Sequence, residues 1–107
     1  MHTLIIEGTF KPGTKEEFTK VWRNEILPNL KKQNGFVDEV LLFGTADPNL
    51  GVGLSFWKTK EDAERYHHDV FPKVSGSVQH LITAAPKVRS FEVEASETFR
   101  IAAGKAA

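Results

Sequence analysis

The chain has 107 residues, 14 Lys and Arg against 14 Asp and Glu for a formal net charge of zero, and no cysteine. The length suits one domain with one modest core, and the charge balance argues against nucleic acid as the main partner and gives no reason to expect a membrane surface. The missing cysteines remove disulfides, thiolate metal sites, iron–sulfur clusters and Cys nucleophiles together. No window approaches roughly 18 consecutive apolar residues, so no transmembrane helix is expected. Met1-His2-Thr3 runs straight into a strand-like segment, so no signal peptide is expected either, and a soluble, cytoplasmic protein is.

From His2 to Phe10 the sequence alternates, with Leu4, Ile6, Gly8 and Phe10 on one face and Thr3, Ile5, Glu7 and Thr9 on the other. This period of two predicts a strand, ended by the turn residues Lys11-Pro12-Gly13. Thr14 then opens a helix, and Glu17 three residues on completes the pattern of a capping box. Phe18, Val21, Trp22, Ile26 and Leu30 make one face of that helix apolar, Pro28 marks a kink in its second half, and Asn34-Gly35 supplies a left-handed stop.

Phe36 to Gly44 predicts a second strand, in which Val40-Leu41-Leu42-Phe43 is apolar on both faces and asks for cover on both. After the turn 45–49, Leu50 to Trp57 predicts a third strand with Gly51, Gly53, Ser55 and Trp57 on one face. Thr59 and Asp62 make a second cap, leading a helix from about Lys60 to Ala84 with a bend at Pro72. Its apolar stripe is Ala63, Tyr66, His67, Val70, Val74, Val78 and Leu81. Pro86 begins a last strand, expected to continue past Ser96 towards Ile101 and long enough to reach a partner. The expected organisation is a single domain over 1–101 with a frayed tail over 102–107.

The order β-α-β-β-α-β predicts an α+β, ferredoxin-like fold with a four-stranded antiparallel sheet and both helices on one face. The apolar second strand requires the other face to be covered by a second copy, giving a homodimer.

The stretch Leu54-Ser55-Phe56-Trp57-Lys58-Thr59-Lys60-Glu61-Asp62-Ala63, followed by Tyr66-His67 and Val70-Phe71-Pro72, resembles the antibiotic-biosynthesis-monooxygenase-like family of dimeric α+β barrels. Pro12-Gly13-Thr14, the helix ending near Leu30 and Gly35-Phe36 stand in the matching order. The resemblance spans about residues 3–95 and implies a homodimeric α+β barrel with a cavity between sheet and helices in each protomer. It also implies two branches of activity. Haem-degrading members carry an Asn on the first strand, a Trp in the second helix and a haem-ligating His beyond it; here those positions are Ile6, Tyr66 and Ser75 or Gly76, so no haem is expected. Cofactor-independent members oxidise a polycyclic phenol to a quinone in a dry apolar slot with aromatic walls.

The chain is therefore expected to be a small cofactor-independent monooxygenase acting on an aromatic or quinol-like molecule. The alternatives are a non-catalytic ligand-binding or stress-type dimer, and a structural dimer whose interior is filled by its own side chains. Tyr66 and His67 are the candidate catalytic groups. Tyr66 offers a hydroxyl to a substrate oxygen or is simply a satisfied core tyrosine. His67, a residue type suited to proton transfer, is a base or a partly buried ring hydrogen-bonded to Tyr66 or backbone. No metal is expected: His67 and His68 point about 100° apart on a helix, and His80 falls on a different side. Trp22, Ser55, Trp57 and Glu7 are the candidate substrate-binding residues. Trp22 is core or a cavity wall. Trp57 bounds a pocket floored by the small residues of its strand, or those residues admit a close partner backbone. Glu7 is an acid or base, or pairs with Arg89 or Arg100 across the dimer. Phosphate-binding glycine motifs and nucleophile elbows are absent.

Overall fold

The alternating residues His2–Thr9 form β1. In the computed structural model, which describes residues 1–104, the chain continues through α1 (Lys15–Val21), a π-helical turn (Trp22–Ile26), α2 (Leu27–Lys31) and β2 (Phe36–Phe43). Then follow β3 (Leu50–Trp57), α3 (Lys60–Asp69), α4 (Phe71–Val78), a 3-10 turn (Gln79–Leu81) and β4 (Lys87–Glu92). The strands make one antiparallel sheet in the order β2-β3-β1-β4, the ferredoxin-like arrangement expected, with the helices on one face. No helix among the described residues is long and apolar enough to cross a membrane.

The core lies between that face and the helices. Trp57 is wholly buried, and Leu4 and Leu30 are nearly so. Each such side chain contributes about 1.5–3 kcal/mol through the water it leaves. Aromatic rings gather at the two ends of this layer. Phe10 packs on Phe18 and Phe43 at centroid distances of 4.5 and 5.6 Å, and Trp57 packs on Phe36 and Tyr66 at 5.7 and 5.0 Å.

The first helical layer keeps one face towards the sheet by departing from the α form. Phe18, Trp22, Ile26 and Leu30 recur every four residues, and in a regular α-helix such a row drifts about 40° per step. The turn Trp22–Ile26 is wider, with Leu27 N–H bonded to the Trp22 carbonyl, and takes back part of the drift. Pro28 accounts for its place, because a proline has no N–H to give and its ring crowds the carbonyl four residues earlier.

The Thr59 cap forms as expected. Asp62 N–H donates to Thr59 Oγ1 at 3.1 Å, and Thr59 Oγ1 donates to Asp62 Oδ2 at 2.9 Å. The capping box at Thr14 does not. The Thr14 hydroxyl instead donates to the Lys11 and Leu81 carbonyls at 2.7 and 3.2 Å, tying the helix start to the 3-10 turn. The long helix from Lys60 is interrupted at Val70, and Pro72 sits in the first turn of α4.

The last strand is also shorter than expected. After Glu92 the chain reverses: Ser96 and Ile101 form a bridge, Phe99 N–H donates to Ser96 Oγ at 3.1 Å, and Arg100 takes a left-handed φ of 57°. Phe99 thereby folds onto Phe56 of the same chain at 5.1 Å instead of extending outward. Of the expected tail, residues 105–107 lie outside the described residues, and Gly104 N–H donates to Glu94 Oε1.

Gly51 is required by packing, since a Cβ there would lie 2.3 Å from the Phe10 ring, which Phe18 and Phe43 hold in place. Gly76 in α4 meets nothing within 4 Å. Urea denaturation should therefore show Gly51→Ala destabilised by about 1–3 kcal/mol through overpacking. Gly76→Ala should be stabilised by about 0.5–1 kcal/mol through helix propensity alone.

Candidate functional site

The small residues of β3 leave a space between sheet and helices. A cavity of about 90 Å³ is lined by Gly51, Gly53 and Ser55 of β3, Ile6 and Gly8 of β1, Trp22 and Ile26 of the first helical layer, and Tyr66, Phe71 and Val74 of the second. One water needs only about 10–15 Å³ of such space, so the interior is not filled by its own side chains. The lining is overwhelmingly apolar, and Glu39 is its only carboxyl among the described residues.

Glu39 reaches the cavity because of an irregularity in β2. Phe36 pairs with Trp57, but Asp38 pairs with Phe56 and Glu39 with Ser55, so one extra residue at Val37 shifts the register. Directly paired residues share a face. Phe36 therefore faces the helices with Trp57, and beyond the bulge it is Glu39, Leu41 and Phe43 that do so, while Asp38, Val40 and Leu42 face away. A bulge commonly re-aims a side chain in this way. The Glu39 carboxyl lies across Gly53, with Oε1 3.1 Å from where a Cβ would stand.

Burial pushes the Glu39 carboxyl up to about 8, opposed by the Trp22 indole N–H and reinforced by Asp38. That N–H is near enough to favour the carboxylate, yet it is buried and completes no hydrogen bond among the described residues. A buried donor without an acceptor costs about 1–3 kcal/mol, and native structures contain few of them. Tyr66 is buried beside them. Burial first, and then the neighbouring Glu39, raise its hydroxyl above the ordinary tyrosine range, so it stays protonated and can donate.

Three of the residues singled out from sequence line the cavity together: Trp22, Ser55 and Tyr66. Trp57 lies behind it, fully buried, with Nε1 donating to Ser55 Oγ at 2.8 Å. His67 is exposed, its ring against Phe71 at 5.7 Å, and does not line the cavity. It follows Tyr66 by one position, and a helix carries adjacent side chains about 100° apart. Glu7 alternates with the lining residues Ile6 and Gly8 and so faces the opposite side of the sheet, where the register sets Lys87 across from it. Glu39 was not foreseen. The one signal was the Asp38-Glu39 pair inside an apolar strand, which must send one acid inward. Among the described residues no three His, Cys, Asp or Glu side chains gather to hold a metal.

Between the ordinary carboxyl range and about pH 8 the folded chain keeps a proton on Glu39 that the unfolded chain has released. Rising pH through that window therefore destabilises the fold, and stability is fully retained below it. The pKa of His2, lowered mainly by burial, acts with the opposite sign at lower pH and is common to both proteins compared. Glu39→Gln should match the wild type near pH 5 and melt higher near pH 9. A difference of 1 kcal/mol corresponds to about 4–8 °C in a domain of this size, readable by calorimetry.

Comparison with known proteins places this geometry. The chain resembles SnoaB, a cofactor-independent oxygenase from Streptomyces nogalater, at a TM-score of 0.74 and 21% identity over 90% of this chain and 95% of that one. Rv0793 from Mycobacterium tuberculosis gives 0.71 and 11% over 90% and 97%. A conserved protein from Methanosarcina mazei Go1 gives 0.70 and 16% over 84% and 89%. At these identities the likeness is one of fold. No curated protein matches the sequence. The family model for antibiotic biosynthesis monooxygenase matches residues 1–69, well over half the chain, and the chain belongs to that family.

Proposed function

We propose that this protein is a cofactor-independent oxygenase-type enzyme that binds a hydroxylated aromatic molecule in the cavity between sheet and helices. The observation that carries the reading is the cavity itself: apolar walls enclosing Glu39, Tyr66, Ser55 and the unpaired Trp22 N–H, in a chain of this family. Few polar groups converging in an apolar hollow is the ordinary form of a small-molecule site. The reaction class is oxidation of a phenol to a quinone by O₂, one oxygen atom entering the new carbonyl and the other leaving as water. An electron-rich phenolate supplies electrons to O₂ directly, so the protein needs to exclude water, hold the ring and manage one proton. Tyr66 is the proposed donor to a substrate oxygen and Trp22 a wall. The resemblance to SnoaB supports the reading at the level of fold.

The same reading includes a second copy of the chain. The sheet face away from the helices carries Ile5, Val40, Val52 and Leu54, with Leu42 and Phe91 each 45% exposed. Two such faces pressed together would cover the apolar side of β2 that a single chain leaves open.

With 1-naphthol as probe, purified protein should consume one O₂ for each quinone formed, with one labelled atom from ¹⁸O₂ in the product. Tyr66→Phe should lower the rate about tenfold or more while keeping the melting temperature, a usual scale for loss of one positioned proton donor. Binding without O₂ uptake would favour a ligand-binding protein instead. Native mass spectrometry should give twice the 12.0 kDa of one chain, and Leu42→Glu should shift it to the single-chain mass. A wild-type mass of one chain would overturn the dimer.

A further inference from the structure

We propose that Glu39 and Trp22 together bind the reacting hydroxyl of the substrate, with the Glu39 carboxylate as the base that takes its proton and the Trp22 indole N–H as the donor to the oxygen left behind. This deepens the reading above and rests on the cavity being the substrate site.

The argument begins with hydrogen-bond complementarity. The Trp22 indole can only donate, and its N–H is buried without an acceptor among the described residues. The Glu39 carboxyl lies across Gly53 on the floor of the same cavity, and in its ionised form, which grows as the pH approaches about 8, it can only accept. A ligand atom that serves both must accept from one and donate to the other. Carbonyl and ether oxygens accept only. A hydroxyl does both, so the pair is built to recognise an O–H group.

The second step is electrostatic. Among the described residues Glu39 is the only carboxyl lining the cavity; the titratable groups that act on it or on which it acts are Asp38, adjacent on its strand but on the other face of the sheet, and Tyr66 from α3. As a carboxylate it carries one negative charge in an apolar hollow, which raises its proton affinity. When the O–H bond of a bound phenol breaks, its proton goes to a Glu39 oxygen and its electron pair stays on the phenol oxygen. The cavity still holds a single negative charge. That charge has moved from a compact carboxylate to a phenolate that spreads it over a ring and receives the Trp22 N–H. Burial therefore favours the transfer instead of opposing it, and leaves the phenol in the electron-rich form that reduces O₂. Tyr66 keeps its proton and does not compete for the role of base.

The test uses 3-nitrophenol, whose visible spectrum distinguishes phenol from phenolate, and 3-nitroanisole, which lacks the proton. Calorimetry on the wild type should show the phenol bound at least about tenfold more tightly than the ether, as a site that pairs with a hydroxyl discriminates against its absence. Near pH 8, where about half of Glu39 is ionised and the free phenol is still mostly protonated, the bound probe should show the phenolate band. In Glu39→Gln the preference should fall to about threefold or less and the phenolate band should disappear. Trp22→Phe keeps an aromatic wall and should weaken the phenol alone, with no loss in melting temperature. Equal affinity for phenol and ether, the same bound spectrum in wild type and Glu39→Gln, or binding of neither probe at millimolar concentration would each overturn the assignment. The two proposals separate cleanly. If 3-nitrophenol behaves as expected but 1-naphthol consumes no O₂, the oxygenase reading fails and the hydroxyl site stands. If Glu39→Gln oxidises 1-naphthol at the wild-type rate, the base assignment fails and the oxygenase reading stands.

Discussion

One extra residue in β2, at Val37, decides which way two adjacent acids face. Upstream of it Phe36 packs against Trp57 on the helix side; downstream the alternation is reversed, so Asp38 turns outward and Glu39 enters the cavity. Without that shift the same sequence would send Asp38, Val40 and Leu42 towards the helices and Glu39 away from them. The site's carboxyl, its proton affinity and its nearness to the Trp22 indole N–H all depend on this local change of register.

The space that Glu39 enters has an equally local cause. β3 presents Gly51, Gly53 and Ser55 to the helices, while Trp57, Leu4 and Leu30 fill the adjoining layer and hold sheet and helices apart. Two of the gaps are occupied from neighbouring strands, the Phe10 ring over Gly51 and the Glu39 carboxyl over Gly53. What remains open is walled by Trp22, Ile26 and Leu30, kept in line by the π-helical turn, and by Tyr66, Phe71 and Val74 on the other side. Packing and chemistry are thus joined: the absence of side chains on one strand makes the cavity, and the acid brought into it is shifted by the dryness of that cavity.

Much of this was legible in the residues. Alternation in His2–Thr9 and Leu50–Trp57 assigned the faces of β1 and β3 correctly, the Thr59 cap formed as its spacing predicts, and the two-sided apolar character of β2 is present in the structure. Trp22, Ser55 and Tyr66 do meet in one cavity. What could not be read was whatever depended on a single-residue change of phase. A period-two count along Phe36–Phe43 passes through the bulge unaware and cannot tell which of Asp38 and Glu39 turns inward. The capping pattern at Thr14 names a possible bond but not the competing Leu81 carbonyl, which the fold alone brings close. His67 lies next to the stripe residue Tyr66, and the angular step between them takes it to the surface. The reversal at 96–101 rests on a Ser side-chain bond and one left-handed Arg, weak signals beside strong alternation.

The account stands or falls on a carboxyl that holds its proton to unusually high pH inside an apolar cavity. Carbon-13 NMR of the side-chain carboxyls, with the Glu39 resonance assigned by its loss in Glu39→Gln, would measure this directly. The structure predicts a titration midpoint for Glu39 near 8 in the free protein. A midpoint in the ordinary glutamate range near 4.5 would show that water reaches the carboxyl freely, and would contradict the site as described.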